Sequence, residues 1–275
     1  MKITVLVENN VPLSVGLTGE HGLSFLIENE GEKVLFDTGQ GMSLLNNLQR
    51  LGHKPEEVKK VVLSHGHYDH TGGVKALLAA GVSFELIAHP GVFSEKLALF
   101  PGAGFRPIGM PSSRAELESH GVTLRLESAA AEIAPGITAT GEIPVRNDFE
   151  KIEPVLFVRE GGSEIPDPLA DDQALILNSG KGAVVLLGCA HRGVVNTLRH
   201  VAEITGGAPV RAVIGGFHLE RAPEDQIQKT AAALKTLDPQ TIRTAHCTGL
   251  PALFALKREL GDRVSPCGVG MTFEF

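Results

Sequence analysis

The chain has 275 residues, 32 of them acidic and 25 basic, and a formal charge of −7 with histidine neutral. Hydrophobic residues at 43% and charged residues at 21% are globular proportions that exclude a disordered or fibrous chain. The acidity argues against a nucleic-acid partner, whose affinity would rest on basic surface facing phosphates. Three widely spaced cysteines, Cys189, Cys247 and Cys267, fit a reducing, cytoplasmic setting better than a disulfide framework. No apolar run approaches the ~20 residues that a membrane helix needs, so no membrane partner is expected.

In chain order, Lys2 to Val7, Leu23 to Glu28 and Lys33 to Phe36 read as a meander of strands. Met42 to Leu51 has helical spacing, and Val61-Val62-Leu63 forms a short buried strand that runs into a histidine cluster. Val74 to Ala80 reads as helix, Phe84 to Ala88 as strand, and Phe93 to Phe100 as helix. Residues 101 to 121 are rich in breakers and read as a lid or binding insertion within one domain spanning 1–275, with helix at Ser113 to Ser119. Strands follow at Thr123 to Leu126, Ile137 to Ala139, Val155 to Arg159, Ala174 to Leu177 and Ala183 to Leu187. Asp167 to Asp172 reads as a hairpin loop, since a calcium loop would space its ligands more regularly. Then come a helix from Val194 to Ile204, a strand from Val210 to Ile214, a helix from Pro223 to Leu237, a strand from Thr241 to Ala245 and a helix from Pro251 to Glu259. This order predicts an α+β fold of two facing sheets with helices outside.

Six of the eleven histidines, His65, His67, His70, His191, His218 and His246, stand at the ends of apolar runs. In Ser64-His65-Gly66-His67-Tyr68-Asp69-His70, side chains two apart share a face of extended chain, so His65 and His67 can grip one ion at Zn–N distances of ~2.0–2.1 Å. Asp69 and His70 are adjacent and reach the same place only if the chain turns, which suits a second ion beside the first. Further ligand types follow later strands, in Gly188-Cys189-Ala190-His191 and in His246-Cys247-Thr248-Gly249. Cys189 as a thiolate would be a soft ligand suited to zinc. Asp37, at the end of the third strand, is placed to orient a ligand histidine.

The run His65-Gly-His67-Tyr-Asp69-His70 resembles the His-x-His-x-Asp-His signature of the metallo-β-lactamase superfamily, and Phe36-Asp37-Thr38-Gly39 resembles the strand end that precedes it there. Thr140-Gly141-Glu142-Ile143-Pro144, Gly188 to Gly193, Gly215-Gly216-Phe217-His218-Leu219 and His246 to Gly249 are similar to one branch, that of the dihydropterin-6-methyl-(ribofuranosyl)aminobenzene 5′-phosphate synthase. The resemblance implies an αβ/βα sandwich of two mixed sheets with two divalent metal ions, zinc or else manganese or iron, at the edge between them. It gives His65, His67 and a later histidine to one ion, and Asp69, His70 and His246 to the other. No Gly-His-Thr-Pro-Gly segment supplies the later histidine here, and Thr140 to Pro144 stands in its place, so His191 becomes the candidate, with Cys189 where relatives carry a bridging Asp or a Cys.

The expected activity is hydrolysis of an ester, lactone or phosphoester. Asp69 would position the attacking water and His218 would assist the leaving group. Glu142, Arg146 and Arg192 are candidate contacts to a small, phosphorylated or carboxylated substrate. The alternatives are a synthase joining a dihydropterin methyl pyrophosphate to a ribofuranosylaminobenzene phosphate, a metal-binding sensor without turnover, and oxidoreduction at two irons. The sequence leaves substrate and oligomeric state open.

Overall fold

A computed structural model describes residues 1–12 and 16–275. Two seven-stranded mixed sheets lie face to face. The first runs Thr272–Glu274, Lys2–Val7, Ser24–Asn29, Glu32–Phe36, Lys60–Val62, Glu85–Ala88, Thr123–Leu126. The second runs Val264–Pro266, Thr241–Ala245, Val210–Gly216, Ala183–Leu187, Ala174–Asn178, Ile137–Ala139, Ala131–Ala134. In each, antiparallel strands give way to parallel ones, at Glu32–Phe36 beside Lys60–Val62 and at Ala183–Leu187 beside Val210–Gly216.

Alternation along the strands explains the layers. Ile3, Val5, Phe25, Ile27, Val34, Phe36 and Val62 point inward against Leu175, Leu177, Val184, Leu186 and Ile214 of the partner sheet. Their sequence neighbours Leu26, Leu35, Val61 and Leu63 point outward under the helices Leu44–Arg50, Gly73–Ala79 and Arg114–Ser119. On the far side, Ile176, Val185, Leu187 and Val213 pack beneath Val194–Ile204, Glu224–Leu237 and Leu250–Leu260. A sheet covered on both faces needs apolar residues at every position, which is why Val184-Val185-Leu186-Leu187 shows no polar alternation. The sandwich with outer helices is therefore as expected. Among the described residues no helix is long and apolar enough to cross a membrane.

A third sheet was not foreseen. Its order is Ser163–Pro166, Leu156–Glu160, Lys96–Phe100, Gly104–Pro107. The helix expected over Phe93 to Phe100 is instead a short 3-10 turn, Pro90–Phe93, and a strand, Lys96–Phe100. That strand pairs on both sides, with Leu156–Glu160 and with Gly104–Pro107, and this pairing overrides the local helical spacing. Within 101–121 the structure thus holds half a β-hairpin and the helix Arg114–Ser119.

Residues 167 to 172 also differ from the expected hairpin loop. They cross from the third sheet to the second large one, and Asp167, Asp171 and Asp172 are all buried. The buried Lys96 places Nζ 2.8 Å from both Asp167 Oδ2 and Asp171 Oδ1, and Gly66 N–H donates to Asp171 Oδ2 at 2.7 Å. Asp172 accepts the Arg192 amide at 2.8 Å, and burial pushes its pKa up to about 7. Gln173 binds the carbonyls of Leu63 and Ser64. The segment is a buried bracket that fixes the backbone on either side of His65.

Candidate metal centre

Lys60–Val62 leads through Leu63 and Ser64 into His65-Gly66-His67, and the chain then turns at once into a helix, Tyr68–Thr71. The turn swings Asp69 and His70 back beside His65. From the opposite sheet, the carboxyl ends of three neighbouring parallel strands, Ala183–Leu187, Val210–Gly216 and Thr241–Ala245, are followed by Cys189 and His191, by His218, and by His246 and Cys247. Four of the non-glycine residues with left-handed backbone lie here: Asp37 (φ 59°), Ala190 (φ 51°), His218 (φ 48°) and His246 (φ 51°). Such conformations cost ~1–3 kcal/mol each and persist where surrounding bonds over-determine them.

The donors form two groups. In the first, His65 Nε2 lies 3.0 Å from His67 Nδ1 and 3.2 Å from His191 Nε2. In the second, Asp69 Oδ2 lies 3.2 Å from His246 Nε2 and 3.8 Å from His70 Nε2. Cys189 Sγ stands 3.1 Å from His70 Nε2 and belongs to both groups, within 4.8 Å of the ligand atoms of His65 and His191 and of those of His70 and His246. Nitrogen ligands of a tetrahedral zinc ion at ~2.0–2.1 Å stand ~3.3–3.4 Å from one another, close to the spacings seen.

One carboxylate aims both groups. Asp37, fully buried, accepts the Ser64 amide on Oδ1, and the Ser64 hydroxyl and His70 Nδ1–H on Oδ2, each at 2.7 Å. With its proton given to Asp37, Ser64 Oγ accepts His65 Nδ1–H at 2.9 Å. His65 thereby turns a bare Nε2 lone pair toward the centre, and the His70 ring is held with Nε2 aimed at the same place, the outer hydrogen bonding that ligand histidines use. Gly188 permits this network, since a Cβ there would sit 2.0 Å from Ser64 Oγ. Gly188→Ala is expected to cost ~1–3 kcal/mol by overpacking and to lower metal uptake, read by thermal melting and elemental analysis.

The charge states suit a cation. Burial drives His65, His67 and His191 far below the usual imidazole range, His67 to about 3, so their rings are neutral. Burial also opposes charge on His70, but the carboxylates of Asp37 and Asp69 outweigh it and raise its pKa to about 9, so a cation would bind this ring by displacing its Nε2 proton. Asp69 meets the same penalty, yet His70 and the hydrogen bond from His21 hold it well below the ordinary carboxylate range. Burial pushes the Cys189 thiol up, and a metal would reverse this by deprotonating it. Neutral lone pairs, a carboxylate and a thiol converging out of water are a donor set that a divalent cation satisfies.

A cleft of about 180 Å³ opens over the donors, lined by His67, Asp69, His191 and His246 and walled by Tyr68, Ile108, Glu153, His218 and Arg221. His218 faces it from beside His191, with ring centroids 4.1 Å apart and Nε2 3.6 Å from Glu153 Oε1. Ile108 is the one member of 101–121 on the wall, and its carbonyl accepts the Tyr68 amide at 2.9 Å. Glu142, Arg146 and Arg192 are not brought to the cleft. Arg192 spends its donors on Glu142 and on the carbonyls of Pro168 and Ile143, while Arg146 pairs with Glu203 on the surface. Sequence reasoning missed His21, whose Nε2 lies 3.2 Å from Asp69 Oδ2, and Arg221; each is a single polar residue in a loop, with no pattern to mark it.

A two-sheet sandwich with histidine, carboxylate and thiol donors at the strand ends defines a metal-site fold, and the chain belongs to the metallo-beta-lactamase superfamily, whose pattern it matches over residues 17–246. It is 33% identical to the 7,8-dihydropterin-6-methyl-4-(beta-D-ribofuranosyl)-aminobenzene-5'-phosphate synthase of Methanocaldococcus jannaschii, across 100% of this chain and 97% of that protein. An uncharacterised protein of the same organism is 30% identical over 93% of this chain and 94% of its own. Among solved structures, Tm1679, described as a metal-dependent hydrolase of the beta-lactamase superfamily, superposes with a TM-score of 0.87 at 31% identity, covering 100% of this chain and 99% of that one. YhfI from Bacillus subtilis, at 14% identity and a TM-score of 0.61 over 99% of this chain and 98% of its own, shares the fold.

Proposed function

We propose that the protein is a metal-dependent hydrolase that seats two divalent cations, one on His65, His67 and His191 and one on Asp69, His70 and His246, with Cys189 between them. The observation that carries this reading is the convergence of these buried donors at 3.0–3.2 Å spacings under one open cleft. Bound zinc, manganese or iron would supply Lewis acidity at neutral pH, making water a nucleophile and polarising the substrate's oxygen. The residues do the rest. Asp69, aimed into the cleft, orients the attacking water. His218, facing Glu153, holds a proton at Nε2 and gives it to the leaving group. An ester, lactone or phosphoester suits this arrangement.

Arg221 supports an anionic substituent on the substrate: it is the cleft's arginine, and among the described residues no carboxylate pairs with it. Arg221→Ala is expected to raise KM for phosphorylated or carboxylated substrates about 10–100-fold with kcat little changed, and to leave neutral esters unaffected. The reading as a whole is tested by hydrolysis of p-nitrophenyl acetate, γ-butyrolactone, p-nitrophenyl phosphate and bis(p-nitrophenyl) phosphate with metal-loaded protein. Turnover of none of them would count against it.

A second reading rests on the full-length 33% identity to the synthase. In it the amine of a ribofuranosylaminobenzene phosphate attacks the methylene carbon of a dihydropterin methyl pyrophosphate, a C–N bond forms, and pyrophosphate leaves with the C–O bond electrons. Pyrophosphate release that requires both reactants would establish it. Stoichiometric metal with neither activity would identify a sensor.

A further inference from the structure

The exposed His21 borders the cleft from the first sheet's side and touches a donor. Its Nε2 lies 3.2 Å from Asp69 Oδ2, and its ring centroid lies 4.7 Å from that of His246. An exposed histidine beside a carboxylate is ordinary, but the backbone that carries this one is not free. The buried Glu20 before it accepts four amides, those of Gln40, Gly41, Met42 and Ser43, at 2.9–3.2 Å. Gln40 Nε2 donates to the His21 carbonyl at 2.6 Å, and the Gly22 amide donates to Asn9 Oδ1 at 3.2 Å. Gly22, at φ 149°, passes so close to Asp69 that a Cβ would meet its carbonyl at 2.5 Å, and Leu23 N–H donates to that carbonyl at 3.3 Å.

Asn9 sets the proton positions. Its Oδ1 accepts His246 Nδ1–H at 2.9 Å, which leaves His246 Nε2 as a lone pair toward Asp69. Its Nδ2 then faces His21 Nδ1 at 3.5 Å as a donor, which places the His21 proton on Nε2, pointing at Asp69 Oδ2. We infer that His21 is a positioning residue of the second cation seat: its Nε2–H holds the Asp69 carboxylate from the solvent side while Asn9 holds His246, so that both ligands meet the ion pre-aimed. This rests on the two-cation reading above and adds a residue to it.

The test is calorimetric titration of metal-stripped protein with Co²⁺, comparing wild type, His21→Ala and His21→Gln, with thermal melting of each metal-free variant. The expected result is two binding steps in wild type, the weaker of them a further 10–100-fold weaker in His21→Ala, and recovery to within about threefold in His21→Gln, which keeps an N–H donor. Unchanged titration in His21→Ala would reduce His21 to a surface residue. A loss in His21→Gln as deep as in His21→Ala would make the ring itself a ligand, and either result overturns the inference. A wild type that takes up a single ion overturns the two-cation reading itself, before any variant is compared, and this inference with it.

Discussion

Protein carrying His67→Ala together with Asp69→Ala is expected to be purified without metal, where wild type is expected to hold close to two ions per chain, and to show hydrolysis no faster than the buffer. Each substitution strikes one donor group: His67 Nδ1 is one of the two nitrogens beside His65 Nε2, and Asp69 is the carboxylate that His246 and His70 face. Both side chains line the cleft and carry little of the core, so the folded state should survive. Elemental analysis and a circular dichroism melt of both proteins check it. Full metal retention in the double variant would place the ions elsewhere, and two-cation chemistry at this cleft would have to be abandoned.

The largest loss of stability is expected from Lys96→Met. Lys96 is buried between Asp167 and Asp171, and removing the cation leaves two carboxylates out of water with no counter-charge. Breaking a buried ion pair from one side costs ~3–5 kcal/mol, which at ~2–4 °C per kcal/mol lowers Tm by roughly 6–20 °C. Because Asp171 also holds the Gly66 amide between His65 and His67, metal uptake should weaken in the same variant. A Tm within 2 °C of wild type would show that ~3 kcal/mol is not stored there.

The candidate metal donors could be read along the chain because a short buried strand followed by His-x-His and Asp-His leaves few other ways to satisfy those side chains, and His191 follows a wholly apolar strand, while His246 follows the mixed strand Thr241–Ala245. The sandwich was legible for the same reason, since strands buried on both faces announce themselves as unbroken apolar runs. What stayed hidden depends on partners far off in sequence. Lys96, amid helix-like spacing, is a strand only because Leu156–Glu160 and Gly104–Pro107 flank it. Asp171 looked like loop polarity because its partners, Lys96 and Gly66, are 75 and 105 residues away. Arg192, beside a motif histidine, looked available to a substrate, but Glu142, Ile143 and Pro168 had claimed its donors.

The donors are divided between the two sheets, with His65, His67, Asp69 and His70 following strands of the first and Cys189, His191 and His246 following strands of the second. In the two-cation reading each seat draws ligands from both halves. A cation in either seat would therefore be a rivet across the seam between the halves, and its binding free energy, ~4 kcal/mol at a thousandfold excess over Kd, would be added to their docking. Stripping the metal should loosen that seam before either sheet melts, and a protease would then find the linkers at the cleft edge first.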